Sequence, residues 1–276
     1  MERKRKKKGN WYLWAGLLMT GLAVFLGILG MFWTPYSTTA MSAAEKFVAP
    51  SAGHLFGTDN FGRDILSRVL YGGRYSLLAG MLTVLLAGIF GSIYGAIAGY
   101  VGGVLDNVMM RISEMIQAFP TIILAIVISA ALGSSMFNTV LAMIIVGWPN
   151  YARLMRSVVL FVKENEYVEA ARALGTGKAR VLFSEIIPNS MTSVIVMATT
   201  DIGNQILLFA TLSFLGLGNP PPTPEWGMMV SDGVSYFNKF WVAGFPGLAI
   251  FTMAVGANFV GDGLRDLMDP KLRKNF

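Results

Sequence analysis

Three polar residues, Asp201, Asn204 and Gln205, stand inside an otherwise apolar run from Met191 to Leu217. Asp201 and Gln205 are four apart, so on a helix they share one face, with Asn204 at its border. An acidic residue near the middle of a membrane-spanning helix costs about 2.5–3.5 kcal/mol on insertion scales, so its presence asks for a reason. Two readings stand. In one, the face lines a pore and offers a negative site to a passing cation. In the other, Asp201 is structural: it pairs with a neighbouring helix, caps a broken one such as that at Pro149, or is held protonated.

Other chemistry is hard to build from this chain. Gly175-Thr-Gly-Lys178 looks like part of a phosphate loop, but that motif needs G-x-x-x-x-G-K-[ST]; Ala179 follows Lys178, and no strand precedes it. His54 is the single histidine and cysteine is absent, which excludes histidine metal clusters, thiolate sites, disulfides and His-based triads. There is no Gly-x-Ser-x-Gly elbow. The 17 methionines are scattered through apolar runs as core and lipid-facing filler. The reading is therefore of no catalytic residue, no metal site and no cofactor.

The elements that must position the Asp201 face follow from composition. Of 276 residues, 54% are hydrophobic and only 14% charged, and the mean hydropathy is +0.56. Soluble domains carry about 25% charged residues. So few charges cannot coat a soluble globule of this size, whereas a lipid-facing surface needs none. The net charge of +6 is spread unevenly along the chain, which suits a membrane topology rule better than nucleic acid.

Taken in order, a basic run, 1–10, precedes an apolar run from Trp11 to Trp33, long enough to cross a bilayer core at about 1.5 Å per residue. It exceeds the 7–15 residues of a signal-peptide core and no clean A-x-A site follows, so it reads as an uncleaved first span. Residues 34–75 are mixed and polar. The second span is Ser76 to Val101, where Gly91, Gly95, Gly99 and Gly103 form a smooth strip for close helix packing. The third, Leu105 to Leu132, should kink at Pro120. The fourth, Met136 to about Val162, should be interrupted at Trp148-Pro149-Asn150. The fifth is Met191 to Leu217 and the sixth Phe240 to Val260, separated by a proline-rich stretch from Gly218. Sixteen of the 22 Lys and Arg residues fall in 1–10, in 153–180 and after the sixth span, which places both termini in the cytoplasm.

Between the fourth and fifth spans lies YVEAARALGTGKARVLFSEIIPN, the longest polar interruption of the second half. Val168 to Leu174 are good helix formers, and Gly175 and Gly177 break the run as C-caps and turns do. A second amphipathic turn, Ala179 to Ile187, should end at Pro188. The expectation is two short helices with a glycine elbow at a membrane surface.

This stretch resembles the EAA loop of ABC-importer permeases, through Glu169, Ala170, Ala171, Gly175, Ile187 and Pro188. The family usually has Leu where Ile187 stands, and an aliphatic residue where Glu185 stands. A second resemblance, to second-type permease subunits of bacterial dipeptide, oligopeptide and nickel importers, rests on two stretches. One holds Gly57, Thr58, Asp59, Gly62, Arg63, Asp64, Ser67 and Arg68, then Arg74, Ser76 and Leu77; the other is the Pro-Pro-Thr-Pro-Glu-Trp-Gly run from Pro221 to Gly227.

These resemblances imply an all-α polytopic membrane protein of about six spans, with the type I ABC importer permease fold. Residues 1–10 would be a basic cytoplasmic tail, 11–33 the first span, 34–75 an extracellular or interfacial segment, 76–265 the permease core with its coupling loop at 164–188, and 266–276 a cytoplasmic tail. They imply a non-catalytic subunit of the bacterial cytoplasmic membrane, forming half of a pore with a second, homologous permease subunit. Two cytoplasmic ATPase subunits and an extracellular substrate-binding protein would complete the importer, with no nucleic acid involved. The implied cargo is a di- or oligopeptide; nickel or a nickel chelate is the alternative. Asp201 would then face a peptide amine or a chelated metal. A secondary transporter or channel would explain the spans, but not the spacing from Glu169 to Pro188.

Overall fold

The computed structural model describes residues 11–268; the tail assigned to 1–10 and most of the one assigned to 266–276 lie outside them. Among the described residues the regular structure is helical, with one isolated bridge, Thr58 to Asp64. The helices are α1 (Trp11–Phe32), α2 (Ile65–Val101), α3 (Gly103–Gln117), α4 (Thr121–Leu132), α5 (Met136–Val162), α6 (Glu166–Ala173), α7 (Lys178–Phe214), α8 (Trp226–Val234) and α9 (Trp241–Met268). Four of them, α1, α2, α7 and α9, are long and apolar enough to cross a membrane, and the bent pair α3–α4 makes a fifth. The 27-residue α5 is long enough to be the sixth, but Trp148, Pro149, Asn150 and Arg153 dilute its apolar character.

α2 is the spine. It runs for 37 residues, about 55 Å at the helical rise, and packs against α1, α5 and α7. It starts at Ile65, well before the apolar run at Ser76, because Asp64 caps it: its carboxylate accepts from the Ser67 amide at 2.7 Å. The expected interfacial helix and the second span are thus one element. The most extensive pairing is α2 with α5. A Cβ on Gly91 would lie 2.3 Å from the Trp148 carbonyl oxygen, and one on Gly95 2.0 Å from that of Ala152. Only glycine permits so close an approach. Gly103, the fourth member of the expected strip, instead opens α3 with φ of +63° and touches nothing.

Three expectations about breaks need correction. The third span does not merely kink: α3 and α4 meet at 84° across 118–120. The fourth span is not interrupted at all, since α5 runs through Pro149. Proline leaves the Ile145 carbonyl without its usual donor, at about 3 kcal/mol. Here Trp148, Pro149, Tyr151, Ala152, Met155 and Val159 are all buried, and that packing holds the helix together. The second amphipathic turn does not end at Pro188 either; it continues into the fifth span as α7. Pro188 has no N–H for the Ser184 carbonyl, and the chain absorbs the mismatch in a π turn over Leu182–Ile186. There the Ile187 amide donates to Leu182, five residues back. The proline-rich stretch also hides α8, which was not foreseen.

Candidate functional site: an intramembrane polar group and two ends of the bundle

The Asp201 face of α7 turns toward α5. The Tyr151 hydroxyl donates to Asp201 Oδ2 at 2.8 Å, and Gln205 Nε2 lies 3.3 Å from both carboxylate oxygens. Tyr151 is itself buried, seated in the cluster between α2 and α5. Asn204 is exposed, off the Asp201–Tyr151 contact. Gln205 Oε1 is buried with no hydrogen-bond partner, so the group has spare polar capacity. Tyr151 escaped the sequence reading because a tyrosine in an apolar run looks like core; Asp201, about six helical turns into α7, gave no sign of which helix faced it.

The loop between α5 and α7 sits at the far end of α2. α6 carries Glu169 and Ala170 exposed and Ala171 half-buried, with Val168 buried beneath them. Its end is a Schellman cap: the Gly175 amide donates to Arg172 at 3.0 Å and the Thr176 amide to Ala171 at 3.1 Å, with Gly175 at φ +79°. This is the expected elbow, and only the second helix beyond it differs from expectation. Ile187 and Pro188 lie in the first turn after the π segment of α7. Leu174 is 87% exposed and Phe183 55%, an apolar pair held out from the bundle. The loop is tied back by the Arg172 guanidinium over the Tyr100 ring, and by Lys163 Nζ donating to the Gly99 carbonyl at 2.9 Å. Nearby, Arg156 makes a two-pronged bond with Asp106, both arms 2.6 Å, joining α5 to α3.

At the opposite end the two stretches that were singled out separately dock on each other. Asp59 accepts from Arg63 Nε at 2.6 Å and lies 3.6 Å from Arg68 Nε. Arg68 donates to the carbonyls of Thr38 and Pro222. The Trp226 indole donates to Val69, and that of Trp241 to Thr58. Glu225 caps α8, accepting from the Gly227 and Met228 amides, and also takes a bond from Ser76 Oγ at 2.9 Å. Its complete burial pushes its carboxyl above the ordinary range, against the pull of those donors. Burial raises Asp232 likewise, opposed by Arg63 and Arg68. This constellation positions 34–64 over the end of the bundle; among the described residues no group of three or more His, Cys, Asp or Glu side chains is arranged to hold a metal.

Residues 88–274 match the model of the binding-protein-dependent transport system inner membrane component family. The chain belongs to that family. As an inner membrane transport component it is an all-α, multi-pass membrane protein, and the match runs from mid-α2 through the Asp201 face and the Gly175 loop. It is similar to the dipeptide transport system permease protein DppC of Escherichia coli K12, 46% identical over 267 residues, 94% of this chain and 89% of that one. It is also similar to DppC of Alkalihalophilus pseudofirmus, 42% identical over 273 residues, 99% and 90% of the two chains. A third relative is the probable D,D-dipeptide transport system permease protein DdpC of Escherichia coli K12, 42% identical over 257 residues, 91% and 86%.

Proposed function

We propose that this chain is one of two permease subunits of an ATP-driven importer that moves di- or oligopeptides across the bacterial cytoplasmic membrane. The observation that carries the cargo is the 46% identity, across nearly the whole chain, to a protein named for dipeptide transport. It favours peptides over nickel or a nickel chelate. The subunit supplies half of the pore and no catalysis; two ATPase subunits on the cytoplasmic side hydrolyse ATP, and an external binding protein delivers the cargo.

The mechanism follows from how the loop is built. Glu169 and Ala170 on α6, with the apolar Leu174 and Phe183, present a surface for an ATPase. Gly175 fixes the angle between α6 and α7, and Ile187 and Pro188 open the rigid part of α7. Because α7 is continuous from Lys178 to Phe214, displacement of the loop moves the Asp201 face as one lever. Both termini and the loop are cytoplasmic in this reading, in line with the distribution of Lys and Arg. Asp201, with Asn204 and Gln205 beside it, offers a negative site to a peptide amine. Detergent purification of this chain tests the assembly: ATPase subunits and a second permease should accompany it in fixed proportion, and the binding protein isolated from the same cells should carry peptide. A chain that purifies alone and moves solute down an ion gradient is a secondary transporter instead.

A further inference from the structure

The 84° break between α3 and α4 leaves an open pocket of about 240 Å³ against α5, lined by Ile116, Gln117, Thr121, Val146, Asn150 and Arg153, with Thr121, Asn150 and Arg153 exposed. Its chemistry differs from its surroundings. Arg153 lies about 6 Å past the midpoint of α5 by helical rise and is exposed to this space rather than packed into the bundle. Arg156, three residues on, has a partner in Asp106. Among the described residues no carboxylate lies within ion-pair reach of Arg153.

The other walls are also polar and incompletely satisfied. Gln117 Nε2 donates to Asn150 Oδ1 at 2.9 Å, and Gln117 Oε1 is buried without a partner. α4 opens on the cavity at Thr121. Its N-cap position is Pro120, which supplies no side-chain cap, and the first amide to find an acceptor within the helix is that of Leu124. The free amides and dipole of that end add positive potential to the guanidinium. A guanidinium presents two parallel donors, the complement of a carboxylate.

We propose that this cavity is a carboxylate subsite in the translocation path, where Arg153 receives the C-terminal carboxylate of a peptide while Asn150 and the start of α4 flank it. The inference rests on the peptide reading above and adds to it the end of the cargo that the permease recognises. It also gives the broken third span a purpose: an unbroken helix would bury the amides that the subsite exposes.

The test uses the assembled complex, with its ATPases and binding protein, in proteoliposomes, and labelled alanyl-alanine as the probe. Arg153→Gln should lower the initial ATP-dependent uptake at least about tenfold, with complex yield and stimulated ATP hydrolysis kept within about twofold of wild type. Arg153→Lys should recover part of the loss. For the C-terminal amide of the same dipeptide, whose neutral end gains nothing from Arg153, wild type and Arg153→Gln should differ by less than about twofold. The binding protein is common to both complexes, so its own preference cancels. Unchanged alanyl-alanine uptake in Arg153→Gln, an equal loss for the amide, no recovery with lysine, or loss of assembled complex would each overturn the subsite. Failure of the wild-type complex to carry any dipeptide would instead overturn the peptide reading itself.

Discussion

The Tyr151 hydroxyl and the Asp201 carboxylate meet at 2.8 Å between α5 and α7, the two helices joined by the Gly175 loop. Any movement of the loop that shifts α7 relative to α5 strains or breaks this bond. Asp201→Asn keeps size and removes charge. Peptide uptake should fall about tenfold or more while expression and assembly stay normal; unchanged uptake of every tested peptide would remove Asp201 from the path, and loss of the complex would make its role structural. Tyr151→Phe leaves the carboxylate with Gln205 and should lower the stability of the solubilised protein by about 1.5–3 kcal/mol, read as a lowered thermal midpoint.

The Gly175 elbow is the second point of leverage. Its φ of +79° is strained for any residue with a Cβ, and most of all for a β-branched one. Gly175→Val should cost about 1 kcal/mol or more locally. The complex should still assemble, since nothing lies within 4 Å of a Cβ there, but substrate-stimulated ATP hydrolysis should drop. Normal stimulation and transport in this variant would show that the angle between α6 and α7 does not matter.

Packing of α2 on α5 makes a graded prediction. A methyl at Gly95 would sit 2.0 Å from the Ala152 carbonyl oxygen, and one at Gly99 3.0 Å from that of Arg156. Gly95→Ala should therefore destabilise the solubilised chain by about 1–3 kcal/mol, and Gly99→Ala by clearly less. Thermal unfolding of the two variants checks the order; equal effects would contradict the described register.

Orientation is tested by labelling. The chain has no cysteine, so single cysteines at Ser51, Thr223 and Thr176 report alone. Impermeant thiol reagents should reach the first two from outside intact cells and the third only from the cytoplasmic side. Outside labelling at Thr176 would invert the topology and remove the loop from any cytoplasmic ATPase.

The features legible in the sequence were those with a local cause. Gly175 announced a cap because only glycine takes positive φ cheaply, and the Schellman bonds are where the spacing put them. Gly91 and Gly95 announced close packing, though not the identity of α5 as the partner. What failed was reading prolines as stops. Pro149 sits inside a helix that tertiary packing holds intact, and Pro188 is accommodated by a π turn, neither of which local propensity can reveal. Pro120 erred in the other direction, from kink to an 84° break. Likewise, Asp201 was visible as a misfit in an apolar run, whereas Tyr151 and the Gln117–Asn150–Arg153 cavity depend on which helices lie side by side.

The central claim is that ATP hydrolysis, transmitted through the Glu169–Pro188 loop, drives peptide through this subunit. The most direct measurement is uptake of a labelled dipeptide by proteoliposomes holding the complete complex and its loaded binding protein, with ATP supplied to the ATPase side and ionophores present to collapse ion gradients. The account predicts uptake that requires ATP, survives the ionophores and falls when Gly175 is replaced by valine. Uptake that persists without ATP and disappears with the ion gradient would contradict it.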